Sequence, residues 1–408
     1  MSSAMRRRKE MIAVAALAIA MLVGNFCCPT AFGQTLSPMS SFGANGWLAP
    51  APIVAGTNYV TTGDNNRGLA WNPITKNLVL PTRTTGNPVA ILNGTTGAIV
   101  KLMDTTTITG GAVAISQAGV TADGQIFVTN VQNSSNLLSF YKVYGWSSES
   151  STSPASVVVN MNIPAASSGA TIRLGDSFAV TGTGSSVRFA SAGSTTSGTT
   201  NGFVNNSNFL TGMIDLAATN TGTYTLFQAI PSTLTASNDY RLSLDFVDGD
   251  TLIGNQGASA KVTDFVISGT GSTGSGATIT SAIPLSAAQR GLDYAVIGGV
   301  PYLAVIDTNS SVVTVLDVTS PTTPVSVASL FTGTSANGNV NGAGQVAWGE
   351  ILDLGGGNYT AQLYALNSNN GVQAMVFSVP EPSTYAVMAG AFAVIGLVAS
   401  RKRRPPSE

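Results

Sequence analysis

The sequence predicts an all-β fold, because its long middle region has almost no helical periodicity and is rich in strand and turn signals. Short runs of β-branched and aromatic residues alternate with turn residues, as is typical of strands. Asn-Gly at 93–94 and Asp-Gly at 123–124 and 248–249 are pairs that favour tight hairpin turns. The clearest predicted strands cover residues 125–130, 137–144, 302–307, 312–317 and 361–366.

A weak repeat groups these strands into units. The stretches "RGLAWNPITKNLVLPTRTTGNPVAILNGTTGAIVKL", from Arg67, and "RGLDYAVIGGVPYLAVIDTNSSVVTVLDVTSPTTPVSVASL", from Arg290, each predict four strands. Similar starts occur near Ala118 and Ala343, and the intervening gap has room for further starts near Leu174 and Leu242. The glycines that open the recognisable units are Gly68, Gly119, Gly291 and Gly344.

Four-stranded units of about 40 to 55 residues are typical of β-propeller blades. The sequence therefore predicts a propeller of six or seven blades, with a pair of β-sandwiches as the alternative. The last unit shows only three strands, and residues 53–60 are expected to supply its outer strand and close the ring. Two Gly/Ser/Thr-rich segments, 191–208 and 268–281, are expected to form loops.

Composition excludes several classes of chemistry. Only 9% of the 408 residues are charged, against about 25% in an average protein. Histidine is absent, and both cysteines, Cys27 and Cys28, lie in the N-terminal leader. Catalytic sites that need histidine or a thiol are therefore excluded from the body. Between the two ends lie ten basic and sixteen acidic residues, a net charge near −6, so no nucleic-acid partner is expected.

The N-terminal segment has the parts of a secretory signal peptide. Four basic residues at 6–9 precede an apolar run at 11–23, and Ala31-Phe32-Gly33 precedes Gln34. We expect residues 1–33 to direct export through the Sec machinery and to be removed between Gly33 and Gln34. An uncleaved N-terminal anchor is the alternative.

The C-terminal segment predicts a single transmembrane helix. Residues 384–400 carry no charge, and as a helix they would span about 26 Å. Four basic residues follow and would hold the far end on the cytoplasmic side. This basic stop consists of Arg401, Lys402, Arg403 and Arg404.

The order of these parts resembles the PEP-CTERM sorting signal of Gram-negative bacteria. The motif residues are Val379, Pro380, Glu381, Pro382 and Ser383. The resemblance implies that an exosortase recognises the tail, covering residues 379–404, after transient tethering to the inner membrane. The protein would then reach the cell surface or the extracellular space, often in species that make exopolysaccharide. A permanent tail anchor is the alternative.

The predicted body, residues 34–378, offers one weak metal candidate. Asp245, Asp248 and Asp250 in "LDFVDGDTLIGNQG" present clustered oxygens of the kind that calcium prefers. Their spacing does not fit an EF-hand loop, and a hairpin turn at Asp248-Gly249 explains them better. No metal site and no cofactor are therefore predicted.

Carboxylate pairs can cleave glycosidic bonds without histidine. The available acids mostly fall at strand ends, where aspartate forms turns. They are Asp215, Asp264, Asp293, Asp307, Asp317, Glu350 and Asp353.

Tryptophans could stack on sugar rings. Trp71 and Trp348 follow the starting glycine of their units at equivalent places, as does Tyr294, and this recurrence favours core packing. Trp146, in the "YGWSSES" segment, is the better exposed candidate, and Trp47 is the fourth tryptophan.

These observations predict an exported cell-surface or matrix protein with a non-catalytic binding or structural body. Extracellular polysaccharide is the expected partner. An extracellular carbohydrate-active hydrolase or lyase using Asp/Glu pairs is the alternative, and a structural matrix component without a discrete ligand is a third.

Overall fold

The computed structural model describes residues 33–55, 57–133, 140–162, 171–196, 207–214, 216, 224–228, 240–255, 259–266, 276–333 and 336–381. The chain divides into two compact units, and the larger one comprises Thr35–Ser378. Of the smaller unit, residues 1–34 and 379–408, only 33, 34 and 379–381 are described. There Gly33 has φ +115°, and a Cβ added to it would lie 2.6 Å from Cγ of Pro380.

The described residues of the larger unit form β-strands, turns and bends, and no helix. The first two sheets each contain four antiparallel strands. Sheet 1 contains β3 (Ala70–Asn72), β4 (Asn77–Pro81), β5 (Val89–Asn93) and β6 (Ile99–Leu102); sheet 2 contains β7 (Ala118–Val120), β8 (Ile126–Thr129), β10 (Phe140–Trp146) and β11 (Ser156–Asn162).

Sheet 3 has six strands and is the most irregular. Its strands are β9 (Gln132–Asn133), β12 (Thr171–Leu174), β13 (Ser177–Thr181), β14 (Val187–Thr196), β15 (Ser207–Ile214) and β16 (Tyr224–Gln228).

Sheets 4 and 5 are regular four-stranded meanders. Sheet 4 contains β17 (Ser243–Phe246), β18 (Thr251–Asn255), β19 (Ser259–Val266) and β20 (Gly276–Pro284); sheet 5 contains β21 (Gln289–Ile297), β22 (Val300–Asp307), β23 (Val313–Asp317) and β24 (Val325–Leu330).

Sheet 6 joins the two ends of the larger unit. Its late strands are β25 (Gly344–Gly355), β26 (Asn358–Asn367) and β27 (Gly371–Val379); its early strands are β1 (Thr35–Pro38) and β2 (Trp47–Leu48). β1 runs antiparallel to β27, with Thr35 opposite Ser378 and Pro38 opposite Met375. The last sheet therefore takes its outer strand from the start of the unit.

The prediction that residues 53–60 close the ring is wrong. Ile53 and Val54 are exposed. The segment folds on itself, because the backbone N–H groups of Thr57 and Asn58 both donate to Val54 O. The closing strand is β1 instead, and its Pro38 is tolerated because an edge strand does not need every N–H group.

One strand of each sheet faces the centre of the arrangement. These inner strands, β3, β7, β13, β17, β21 and β25, contact one another in a closed cycle from sheet 1 to sheet 6 and back. The all-β class and the propeller-like arrangement are thus confirmed, and the alternative of two β-sandwiches is wrong.

Glycines lie where neighbouring inner strands approach most closely. A Cβ on Gly68 would lie 2.6 Å from Cα of Gln117, and one on Gly291 would lie 2.7 Å from N of Gln345. Contacts this short are not compatible with a larger residue. Gly68 and Gly291, which open two of the predicted units, therefore occupy positions between sheets where a side chain would collide with backbone.

The hydrophobic core lies between successive sheets. Phe127 of sheet 2 and Phe178 of sheet 3 belong to one cluster, and Ile253 of sheet 4 and Leu303 of sheet 5 to another. Each sheet thus buries both faces against its neighbours, which explains why its strands are apolar on both sides. Among the ranges described here, no helix is long and apolar enough to cross a bilayer. The predicted leader up to residue 32 and the tail from Pro382 onward, with its transmembrane helix, lie outside them.

Candidate functional site

The inner strands enclose a cavity of about 310 Å³ at the centre of the ring. Each of them supplies lining residues, so the cavity is a product of the whole cycle rather than of one sheet. Representative lining residues, one from each inner strand, are Trp71, Val120, Val180, Asp245, Asp293 and Trp348. The volume lies at the small end of the range for ligand pockets.

Asp245 and Asp293 form a pair of neighbouring carboxyl groups in this cavity. Asp245 lies on β17 and Asp293 on β21, at equivalent places in the motifs Leu244-Asp245-Phe246 and Leu292-Asp293-Tyr294. Both side chains are half-buried. The adjacent inner strands bring them together because they occupy the same position in successive sheets.

Backbone N–H groups of the next sheet donate to both carboxyl groups. The N–H of Tyr294 donates to Oδ2 of Asp245 at 3.1 Å and to Oδ1 of Asp293 at 3.0 Å. The N–H of Trp348 donates to Oδ2 of Asp293 at 2.5 Å. Each aspartate therefore holds the aromatic residue of the following inner strand, which joins sheet 4 to sheet 5 and sheet 5 to sheet 6.

The two carboxyl groups shift each other's pKa. Burial and the negative charge of Asp245 raise the pKa of Asp293 well above its ordinary value, and a hydrogen bond to Asp245 adds to this effect. Burial also raises the pKa of Asp245, while the hydrogen bond from Asp293 opposes that shift. These mutual effects are expected for two carboxyl groups that share a site.

This arrangement limits the chemistry that the cavity supports. The two carboxyl groups of a glycosidase lie about 5 to 9.5 Å apart, on opposite sides of the bond that is cleaved. Asp245 and Asp293 instead interact directly, because each alters the pKa of the other. The pair is suited to accept hydrogen bonds from a polar, uncharged ligand.

The sequence cluster at 245–250 is divided between two places. Asp245 faces the cavity, whereas Asp248 accepts hydrogen bonds from the N–H groups of Asp250 and Thr251 in the surface turn that was predicted. Asp250 pairs with Arg188. Hydrogen bonds from the backbone, first that of Asp250, hold the pKa of Asp248 below its ordinary value. Among the residues that the structure describes, no three potential metal ligands converge.

The other predicted acids have separate local roles. Asp307, Asp317 and Asp353 each accept a hydrogen bond from the N–H two residues later, as turn-forming aspartates do. Glu350 pairs with Lys76 at 3.1 Å. Asp215 and the Asp264 side chain lie outside the described part of the chain.

The tryptophans follow the prediction in part. Trp71 stacks on Tyr364 at 5.3 Å between ring centres, and Trp348 packs against Phe377 at 5.7 Å, so their packing role is confirmed although both also line the cavity. The expectation that Trp146 is exposed is wrong. It is the last residue of β10, pairs with Ile126 and is only 2% exposed.

Trp47, the fourth tryptophan, is half-buried. Its Nε1 donates to Asn370 O at 3.0 Å.

Two buried polar clusters were not anticipated. In the first, Glu149 accepts hydrogen bonds from Asn72 at 2.9 Å, from Asn77 at 2.8 Å and from Thr75. It is 7% exposed, and it joins the loop after β10 to sheet 1. No residue pattern marks it in the sequence, since its three donors lie more than 70 residues away.

The second cluster surrounds Asp176, just before β13. Arg67, Arg173 and Arg241 all lie within 4 Å of its carboxylate. The repeated Arg-Gly-Leu at residues 67 and 290 was noted only as a unit start, although its first arginine belongs to this cluster. Three guanidinium groups around one carboxylate make this an electropositive site.

Comparisons with known proteins inform the fold alone. No protein-family model matches the chain, and no curated protein matches it. Among solved structures it is similar to a DUF4623 family protein from Bacteroides eggerthii, at 16% identity over 78% of this chain and 71% of that one, with a TM-score of 0.51. Two other solved structures are less similar. The Cps50 (Swd1) β-propeller domain from Myceliophteria thermophila has 11% identity over 78% of this chain and 88% of that one, with a TM-score of 0.38. A gluconolactonase from Xanthomonas campestris has 10% identity over 85% of this chain and 97% of that one, with a TM-score of 0.36.

Proposed function

We propose that the larger unit is a non-catalytic binding module whose ligand is a small polar, uncharged group such as a sugar residue. The observation that carries the proposal is the Asp245–Asp293 pair in the central cavity. It offers carboxyl oxygens beside Trp71 and Trp348 in the same cavity. Sugars are recognised by this combination of hydrogen-bonding groups and aromatic surface.

Titration calorimetry with a panel of neutral monosaccharides and disaccharides tests this proposal. Asp245→Asn and Asp293→Asn are each expected to weaken, about tenfold, the binding of a sugar that binds the unaltered protein. The matched control is Asp353→Asn, in an exposed turn, which should bind as the unaltered protein does. Failure of every sugar to bind, or equal binding by all variants, would contradict the proposal.

The same variants distinguish the enzyme alternative from a binding module. A hydrolase or lyase that uses the pair would turn over a glycan substrate and lose that activity in Asp293→Asn. Binding without turnover across a broad glycan screen is the expected result, because the two carboxyl groups interact directly rather than flanking a bond from opposite sides.

We further propose that each of the six sheets is one blade of the ring. The closed cycle of contacts between the inner strands supports this count. The irregular sheet 3, in which β9 and β12 extend a separate edge, is then a blade with additional strands.

We propose that the chain is exported through Sec and sorted as a PEP-CTERM substrate to the cell surface or extracellular matrix. The support is the order of motif, apolar segment and basic stop in the sequence. Mass spectrometry of the product should find a new N-terminus at Gln34 and a C-terminus near Pro380 when an exosortase is present. Full-length product in that strain would contradict sorting, and replacement of Pro380, Glu381 and Pro382 by alanine should prevent processing.

A further inference from the structure

The arginine cluster around Asp176 has a position that suits a second ligand. Arg67 lies three residues before β3, Asp176 one residue before β13 and Arg241 two residues before β17. All three therefore lie at the end of the ring where the inner strands begin, which we call the entry end. Gln117, just before β7, belongs to the same end, since its Nε2 donates to Asp176 O at 2.8 Å.

Two arginines satisfy the Asp176 carboxylate. Arg173 binds both of its oxygens, with Nε at 2.5 Å from Oδ2 and Nη2 at 2.7 Å from Oδ1. Nε of Arg241 donates to Oδ2 at 3.0 Å. The Asp176 side chain is 1% exposed, so the group is fully engaged by these two partners.

Arg67 is left without an adequate partner. Its Nη1 lies 3.8 Å from Asp176 Oδ1, beyond hydrogen-bonding distance, and its side chain is 9% exposed. Its Nε is buried and has no acceptor among the described residues. Burial lowers the pKa of Arg67, and the charge of Asp176 only partly opposes this, while Arg83 and Arg173 lower it further.

A buried guanidinium without acceptors is unfavourable unless another group supplies them. Arg173 and Arg241 are 26% and 31% exposed in their side chains, so the cluster is open to solvent on their side and closed on the Arg67 side. Three guanidinium groups against one carboxylate leave an excess of two positive charges. The missing component is a ligand that carries negative charge and several acceptor oxygens.

We infer that the entry end binds an oxyanion, held by Arg67 at the base and by Arg173 and Arg241 at the rim. Guanidinium groups match the paired oxygens of carboxylate, sulfate and phosphate in geometry and charge. The ligand is either a free inorganic anion or an acidic group carried on a sugar. This site is separate from the Asp245–Asp293 pair and does not depend on the function proposed for it.

Thermal unfolding of the full chain at fixed ionic strength tests the inference. Inorganic phosphate, sulfate and glucuronate are each titrated against chloride. A saturable rise in the unfolding midpoint with at least one of them is expected, because a ligand that binds only the folded state stabilises it. Preference for glucuronate over phosphate and sulfate would identify a sugar-borne carboxylate, and the reverse would identify an inorganic anion.

Variants locate the site. Arg241→Gln, at the partly exposed rim, should weaken the anion about tenfold or more. Arg67→Met should abolish the rise of the unfolding midpoint with anion. Without anion it should raise the midpoint, whereas replacing an arginine with a purely structural role would lower the midpoint. Arg188→Gln removes a comparable arginine from the pair with Asp250 and should leave the response unchanged.

The inference is overturned if none of the three anions shifts the midpoint beyond chloride. It is also overturned if Arg241→Gln binds as tightly as the unaltered protein. Should Arg67→Met not fold, Arg241→Gln and Arg188→Gln still decide the matter, since both residues are partly exposed.

Discussion

Asp293 and Trp348 are joined by two hydrogen bonds across neighbouring inner strands. The backbone N–H of Trp348 donates to Asp293 Oδ2, and its indole Nε1 donates to Asp293 O at 3.2 Å. Asp245 holds the N–H of Tyr294 in the same way one sheet earlier. Where the equivalent position is alanine, as at Ala70 and Ala347, no carboxylate is available for this contact.

Stability should depend on the protonation of this pair. The folded pKa values of Asp245 and Asp293 are raised above the unfolded value of about 3.9, so the folded state takes up a proton as the pH falls from alkaline values. The unfolding midpoint should therefore rise as the pH falls through the folded pKa values, and this contribution is lost as the pH rises through them.

Asp293→Asn should reduce that pH dependence, because an amide does not titrate, although its NH2 group cannot accept the N–H that one Asp293 oxygen accepts. Asp353→Asn should keep the original profile. Midpoints measured by circular dichroism across the pH range provide the test. An unchanged slope in Asp293→Asn would show that this pair does not cause the pH dependence.

Closure of sheet 6 is tested by Phe42, between β1 and β2. Its side chain is fully buried, and its ring centre lies 6.0 Å from that of Tyr364. Phe42→Ala should lower the free energy of unfolding by about 3–5 kcal/mol. Ile53→Ala, in the segment that was predicted to close the ring, should change it by less than about 0.5 kcal/mol. Denaturant unfolding measures both losses of free energy. A larger loss in Ile53→Ala than in Phe42→Ala would show that β1 does not close the ring.

The close approach of the inner strands is tested by Gly68. The added Cβ of Gly68→Ala would meet the backbone of Gln117 and should cost about 1–3 kcal/mol. Gly249→Ala is the control, since no atom lies within 4 Å of its added Cβ and Gly249 is not among the residues with positive φ. It should be neutral or slightly stabilising. Equal unfolding midpoints for the two variants would contradict the packing.

Glu149 should be essential to the junction of sheets 1 and 2. Glu149→Ala leaves the side chains of Asn72, Thr75 and Asn77 without their acceptor and should cost about 2–4 kcal/mol. Glu350→Ala removes a carboxylate from a partly exposed pair and should cost less than about 1 kcal/mol. Denaturant titration compares the two, and a cost for Glu149→Ala no larger than for Glu350→Ala would rule out this role.

Local pattern was sufficient for most of the strands and for their grouping. It was wrong for parts of the two Gly/Ser/Thr-rich segments predicted to be loops, because 191–196 lie in β14, 207–208 in β15 and 276–281 in β20. The Arg-Gly-Leu starts at Arg67 and Arg290 identified inner strands because the glycine is required where backbones meet. The closing strand was missed because "TLSP" is short and contains proline, whereas 53–60 is richer in β-branched residues. Trp146 was assigned to a loop by the serines that follow it, although it pairs with Ile126 inside β10.

The candidate site depended on relations between units that a single unit does not show. Asp245 and Asp293 are 48 residues apart, and only their equivalent place in Leu-Asp-aromatic motifs signals that they meet. The Asp176 cluster draws its arginines from three different sheets, with no common spacing. Such convergence is set by the ring and not by any short stretch of sequence.

The antiparallel pairing of Thr35 with Ser378 has a mechanical consequence. The first and last residues of the larger unit lie at the same end of the β1–β27 pair. A force that pulls these two residues apart loads the backbone hydrogen bonds one after another, as a zipper opens, and not all at once as in shear. The seam that completes the ring is therefore also where tension would begin to open it.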